Sequence, residues 1–149
     1  MKWLDMPPVW LAGCALIAWV QAKDFSLGLS LAHPATMLFG GLLVGGGVVL
    51  IGLAAIEFRK HKTSIIPHET PTTLIQSGIF KRSRNPIYLA DLLILAGLCL
   101  RWDAVLSLAL VPSLAYVLEK RFIIPEENRM RRVFRADFAR YAQNTRRWV

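Results

Sequence analysis

The sequence predicts an all-α integral membrane protein: a bundle of about four transmembrane helices, two of them a helical hairpin, followed by a C-terminal amphipathic helix. Three observations predict it. The chain is 54% hydrophobic with a mean hydropathy of +0.42, high for a water-soluble domain. Residues 37 to 56 carry no charge over 20 positions, and a helix of that length spans about 30 Å, the thickness of a hydrocarbon core. The cations also alternate along the chain. Residues 57 to 85 hold six Lys/Arg against two acids, and residues 119 to 149 hold nine against four. The stretch 21 to 33 has only Lys23 and Asp24, and the turn 101 to 103 only Arg101 and Asp103. The positive-inside rule produces this pattern, with residues 57 to 85 and both termini in the cytoplasm. Orientation and anionic lipid account for the net charge of +8, so nucleic acid is not an expected partner.

The 149 residues suit one domain, with two N-terminal transmembrane helices in 1–58 and a core in 59–149 that holds the hairpin and the residues suited to chemistry. The first apolar segment, Pro8 to Gln21, follows no convincing cleavage site and reads as a retained membrane helix. The second, Pro34 to Ile56, has proline suited to a helix start. Its Gly41 and Gly45 make a GxxxG pair with Gly52 on the same face, which suits close packing against a neighbouring helix or pairing of two copies. The third and fourth, Pro86 to Leu100 and Ala104 to Leu118, are separated only by Arg101-Trp102-Asp103 and form the hairpin, with a kink expected at Pro112. Beyond Pro125, the apolar residues Met130, Val133, Phe134, Phe138 and Tyr141 recur at helical spacing with arginines opposite, as in one amphipathic helix on the membrane surface or capping the bundle. Cys14 and Cys99 each lie alone in apolar surroundings, and no His or Cys spacing suggests a metal site.

Chemistry concentrates at "SGIFKRSRNPIYLAD", residues 77 to 91. Asn85 is a good N-cap and Pro86 a good first helical residue, so a helix starts at the cytoplasmic lip with its free N–H groups favouring an anion. Arg84, Tyr88 and Asp91 add a cation, an aromatic hydroxyl and a carboxylate. The bland account is lipid-phosphate contact and an interfacial tyrosine. Asp91 is costly in a membrane segment unless it is partnered, with Arg84 or Arg129 the candidates. Glu126 and Glu127, just after Pro125, suit the helix dipole, or one of them binds a cationic group at the hairpin mouth.

Taken together, Thr63, Pro67, Pro71, Leu74, Gly78, Phe80, Arg84, Asn85, Pro86 and Tyr88, then Glu126, Glu127, Phe134, Tyr141, Arg147 and Trp148, resemble the isoprenylcysteine carboxyl methyltransferase and phospholipid methyltransferase family. The resemblance covers roughly residues 60 to 149 and is nearest to small bacterial members. It implies a bacterial inner-membrane enzyme that uses S-adenosylmethionine on a lipophilic acceptor, either an isoprenylcysteine-like carboxylate or a lipid amine. By matching positions it implies that Thr72, Thr73, Leu74, Ile75, Phe80, Arg84, Asn85, Pro86, Ile87, Tyr88 and Glu126 contact the cofactor. Arg84, Glu127 and Asp91 are the candidate catalytic residues, Glu127 or Asp91 as base where the acceptor is an amine. Arg121 is the candidate substrate contact, because the family's substrate-binding arginine position is Phe122 here. The family's Phe-Gly is Phe134-Arg135, which puts a tight turn there in doubt. Membrane sterol reductases share the hairpin in outline and place an aspartate where Asp91 stands, so an NADPH-dependent reductase is one alternative. A non-catalytic membrane scaffold is another.

Overall fold

A computed structural model describes residues 5 to 149. Helix α1 (Pro7–Asp24) is followed by α2 (Pro34–Lys60), α3 (Pro86–Arg101), α4 (Leu110–Leu118), α5 (Ile124–Phe134) and α6 (Ala136–Asn144). No strand occurs among the described residues. Prolines at the first turns of α1, α2 and α3 set the helix starts, where a missing N–H costs nothing.

Helix α2, with 27 residues, is long and apolar enough to cross a membrane. Leu38, Leu42, Val49 and Ile56 stand exposed along it. Its other side lies on α3, and glycine brings the two backbones together. A Cβ on Gly97 would fall 2.5 Å from the Gly40 carbonyl oxygen, and one on Gly47 2.9 Å from the Ala90 carbonyl oxygen. Close approach therefore runs through Gly40, Gly47 and Gly97. The expected Gly41/Gly45/Gly52 face is left open: Gly45 and Gly52 have nothing within 4 Å, and Gly41 meets only the Arg101 guanidinium.

The bundle has two distinct ends. At one end, Asp103 in the α3–α4 turn accepts hydrogen bonds from Leu31 N–H (2.7 Å) and the Ser30 hydroxyl, and Gln21 of α1 accepts from the N–H and hydroxyl of Ser107. At the other end the linker 61–85, α5, α6 and the C-terminal tail come together. The weakly charged connections thus share one end and the basic segments the other.

Between α3 and α5 the chain never leaves helix for long, but its pitch changes twice. A 3-10 turn, Leu106–Ala109, runs into α4. Proline at 112 cannot donate to residue 108 and crowds its carbonyl, so the expected kink takes the form of this 3-10-to-α junction. A π turn, Glu119–Ile123, then joins α4 to α5 and buries both Phe122 and Ile123 against Leu95, Leu114 and Leu118.

The single C-terminal amphipathic helix is two helices. The break is at Arg135, with φ 45° and ψ −115°. Those angles suit glycine, the residue the family places there, and cost an L-amino acid about 1–3 kcal/mol. Arg135 makes the sharp turn nonetheless, because Phe138 and Tyr141 of α6 are buried beyond it. Arg135→Gly is accordingly expected to stabilise the protein by about 1 kcal/mol, read as a higher Tm in detergent. A lower Tm would show that the turn is not the strained element.

Candidate active site

The site forms where the linker closes over the start of α3. Buried Glu57, near the end of α2, accepts a hydrogen bond from the Ser77 hydroxyl, and His61 sits over the pair. Gly78 has φ +56°, and a Cβ there would lie 2.5 Å from a Glu57 oxygen, so only glycine lets the linker seat on the carboxylate. The 3-10 turn Gly78–Lys81 follows and drives Phe80 into a cluster with Ala54 and Ile75, its ring edge-on to Phe58 at 5.5 Å. Tyr141 of α6 donates to the Phe80 carbonyl at 2.7 Å, and burial holds that phenol protonated.

Two adjoining cavities result. The smaller, about 50 Å³, is lined by Thr73, Leu74 and Ile75 of the linker and by Phe138 and Tyr141 of α6. The larger, about 230 Å³, runs toward the first turn of α1 and is lined by Pro86, Ile87 and Tyr88 on the α3 side. Phe58, Phe80, Arg84, Asn85, Glu126 and Met130 line both and form the wall between them.

On that wall the two charged groups are unequally partnered. Arg84 has its side chain 13% exposed and lies 3.5 Å from Glu127, while its Nε is buried with no hydrogen-bond acceptor. Glu126 accepts a hydrogen bond from Tyr88 at 2.7 Å. Among the described residues, no cation lies within ion-pair distance of it. Burial pushes its carboxyl above the usual glutamate range, with Tyr88, Arg129 and His68 pulling the other way. Glu126 is thus a half-buried carboxylate on the wall of both cavities, held by one tyrosine and, among the described residues, without an ion-pair partner.

Glu127 is differently placed. It is buried, and both oxygens receive the Arg147 guanidinium, Nε at 3.0 Å and Nη2 at 2.8 Å. Arg147 also donates to Glu119 at 2.9 Å, and the paired carboxylates raise its already high pKa further. The tail carrying Arg147 folds back onto the chain before α3: the Arg84 N–H donates to the Arg146 carbonyl, and the Asn85 side chain to the Arg147 carbonyl, both at 3.0 Å. Asn85 therefore does not cap α3 with its side chain. Ser83 accepts its backbone N–H instead, at 3.1 Å.

The structure thus gathers Thr73, Leu74, Ile75, Phe80, Arg84, Asn85, Pro86, Ile87, Tyr88, Glu126 and Glu127 around the cavities. Three candidates stand elsewhere. Thr72 is exposed and donates its N–H to Thr63. Asp91 is buried one turn beyond Tyr88, lines neither cavity, and has one oxygen without a partner. Neither Arg84 nor Arg129 reaches it: Arg84 faces Glu127, and Arg129 donates to the Glu69 carbonyl. Arg121 pairs with Asp5 at 2.6 Å outside both cavities. Sequence reasoning missed Phe58 and Met130 on the shared wall, Phe138 behind it, and the brace role of Arg147. The arginine-rich ending was the only sign of that brace.

A family model described as phospholipid methyltransferase matches residues 35–137. The chain belongs to the phospholipid methyltransferase family. The match runs from α2 through α5 and includes the shared wall, whereas α1, most of α6 and the Arg147 tail lie outside it. No curated protein and no solved structure matches the chain. Membership makes this a membrane-associated methyltransferase fold, so a group-transfer site is to be sought at the carboxylate and guanidinium shared by the two cavities.

Proposed function

We propose that this protein is an integral-membrane methyltransferase that uses S-adenosylmethionine to methylate a lipophilic acceptor. The observation that carries the reading is Glu126, a carboxylate with no ion-pair partner among the described residues, held by Tyr88 on the wall between a smaller and a larger apolar cavity. S-adenosylmethionine brings an ammonium and a sulfonium for Glu126, and a carboxylate for Arg84 and the uncapped start of α3. Phe80 and the Thr73–Ile75 segment supply surfaces for adenine.

Transfer is an in-line displacement. When bound, S-adenosylmethionine would supply the methyl group, its carbon–sulfur bond breaking toward sulfur as the acceptor's lone pair forms the new bond, and it would leave as a neutral thioether. A carboxylate acceptor is nucleophilic as it stands, whereas an ammonium must first lose a proton. Glu127, whose oxygens are taken by Arg147, is poorly suited to receive one. The protein contributes position and the exclusion of water. In this reading the bundle crosses the membrane four times, with the basic end and both termini on the cytoplasmic side and the Asp103 end opposite.

Titration of the detergent-solubilised protein with S-adenosylmethionine, and separately with NADPH, tests this. Saturable binding of the first alone is expected. Binding of the dinucleotide alone, or of neither, would overturn it.

A further inference from the structure

The larger cavity has an uneven lining. Arg84 and Glu126 stand on the wall shared with the smaller cavity, and Tyr88 beside it donates to Glu126. Away from that wall it is bounded by Met6, Pro7 and Pro8 of the α1 start and by Ile65, Ile66 and Pro67 of the linker. Pro7, Pro8, Pro67 and Pro86 offer no backbone N–H, so an apolar occupant strands fewer donors there. An occupant matching this lining has a polar end at Glu126 and an apolar body toward α1, which is the shape of a lipid-like amphiphile.

The α1 wall is also fastened. Asp5, just ahead of that turn, accepts Arg121 Nε at 2.6 Å and the Trp10 indole N–H at 3.4 Å, while the Arg121 guanidinium lies over the Trp10 ring, 5.5 Å from its centroid. Arg121 belongs to the π turn that leads into the helix bearing Glu126. The clamp therefore ties one cavity wall to the segment holding the carboxylate. Its α1 half lies outside the segment matching the family.

We propose that the larger cavity binds the apolar body of the acceptor, and that the Asp5–Arg121–Trp10 clamp is a positioning device that holds the first turn of α1 as the wall selecting it. The inference rests on the methyltransferase reading for the word acceptor, while the amphiphile site itself does not. Both clamp side chains are partly exposed, so the ion pair contributes little to overall stability; its effect is on where the wall stands.

The test uses the full chain in phosphatidylcholine vesicles and a long-chain amine carrying a mid-chain diazirine. On illumination, labelling is expected at Met6–Pro8 and Ile65–Pro67, and unlabelled long-chain amine should compete it away. Arg121→Ala is expected to lower labelling at Met6–Pro8 several-fold with S-adenosylmethionine affinity unchanged, and the swap Asp5→Arg/Arg121→Asp to restore it. Labelling confined to outer positions such as Val9 and Leu16, labelling that does not compete, or labelling indifferent to Arg121→Ala would overturn the proposal. So would a parallel loss of S-adenosylmethionine affinity, the mark of general loosening. If the parent protein binds the amine competitively but no S-adenosylmethionine, the methyltransferase reading fails and the amphiphile site stands.

Discussion

Glu126→Gln is expected to weaken S-adenosylmethionine binding by about thirtyfold or more, the ~2 kcal/mol or greater cost of removing one member of a buried charge pair. The same substitution should raise the Tm of the ligand-free protein. Glutamine keeps an acceptor for the Tyr88 hydroxyl, so the hydrogen bond at 2.7 Å survives while the buried charge does not. The sign follows from the direction of the pKa shift. Burial lifts the Glu126 carboxyl above its unfolded value, so the folded state holds its proton more tightly. Stability from this group is full below the ordinary glutamate range and is lost as pH rises through the lifted pKa. Above the lifted pKa the empty site bears the whole cost of an ionised carboxylate, and a bound cation relieves it. Binding should show the opposite trend, weakening as pH falls through the same window, and the Gln variant should lose both dependences. Thermal melts with and without S-adenosylmethionine across that range would measure this. A variant that binds normally, or an empty variant that melts lower, would show that Glu126 is a structural partner and not a cation site.

Arg147→Ala should damage the site without touching either cavity lining. It removes three donors at once, two to Glu127 and one to Glu119. Glu127 is buried and would be left with Arg84 at 3.5 Å and a more exposed Arg131 at 4.0 Å. Uncovering a buried carboxylate in this way costs about 3–5 kcal/mol when complete; with Arg84 still near and Arg147 partly exposed, about 2 kcal/mol is expected here. Arg84, drawn further toward Glu127, should turn from the shared wall, so cofactor affinity falls together with Tm. Replacing both members, as in Glu127→Met/Arg147→Met, should recover much of the lost Tm and little of the affinity. Recovery of both would mean that the pair only braces the fold; recovery of neither would mean that the tail is held by other contacts.

How legible this was from sequence depended on range. The Arg84–Tyr88 stretch could be read because a helix start, its cation and its aromatic are written within a few residues. Glu126 could be read only through the family resemblance, because an acid after proline at a helix start equally suits the helix dipole. The glycine face was harder. GxxxG marks a stripe of α2, but which stripe meets α3 depends on where Gly97 lies, and that belongs to another helix. The C-terminal helix was misread as one because Arg135 interrupts the backbone while the apolar spacing runs through it, with Phe138 and Tyr141 still falling inward. Arg121 could be found as a cation near the site, but its partner Asp5 is 116 residues away, and no local pattern points there. Asp91 reads as chemistry in sequence and sits away from both cavities in space.

The tail that folds back on Arg84 also has a consequence for how the protein is made. Asn85 meets its carbonyl partner 62 residues further along the chain, and Arg147 joins Glu127 still later than every helix in the bundle. A chain elongating from its N-terminus therefore carries Arg84, Asn85 and Glu127 before the residues that fix their positions have been made. The walls of the two cavities take their final places only after α5, α6 and the Arg146-Arg147 segment have been added.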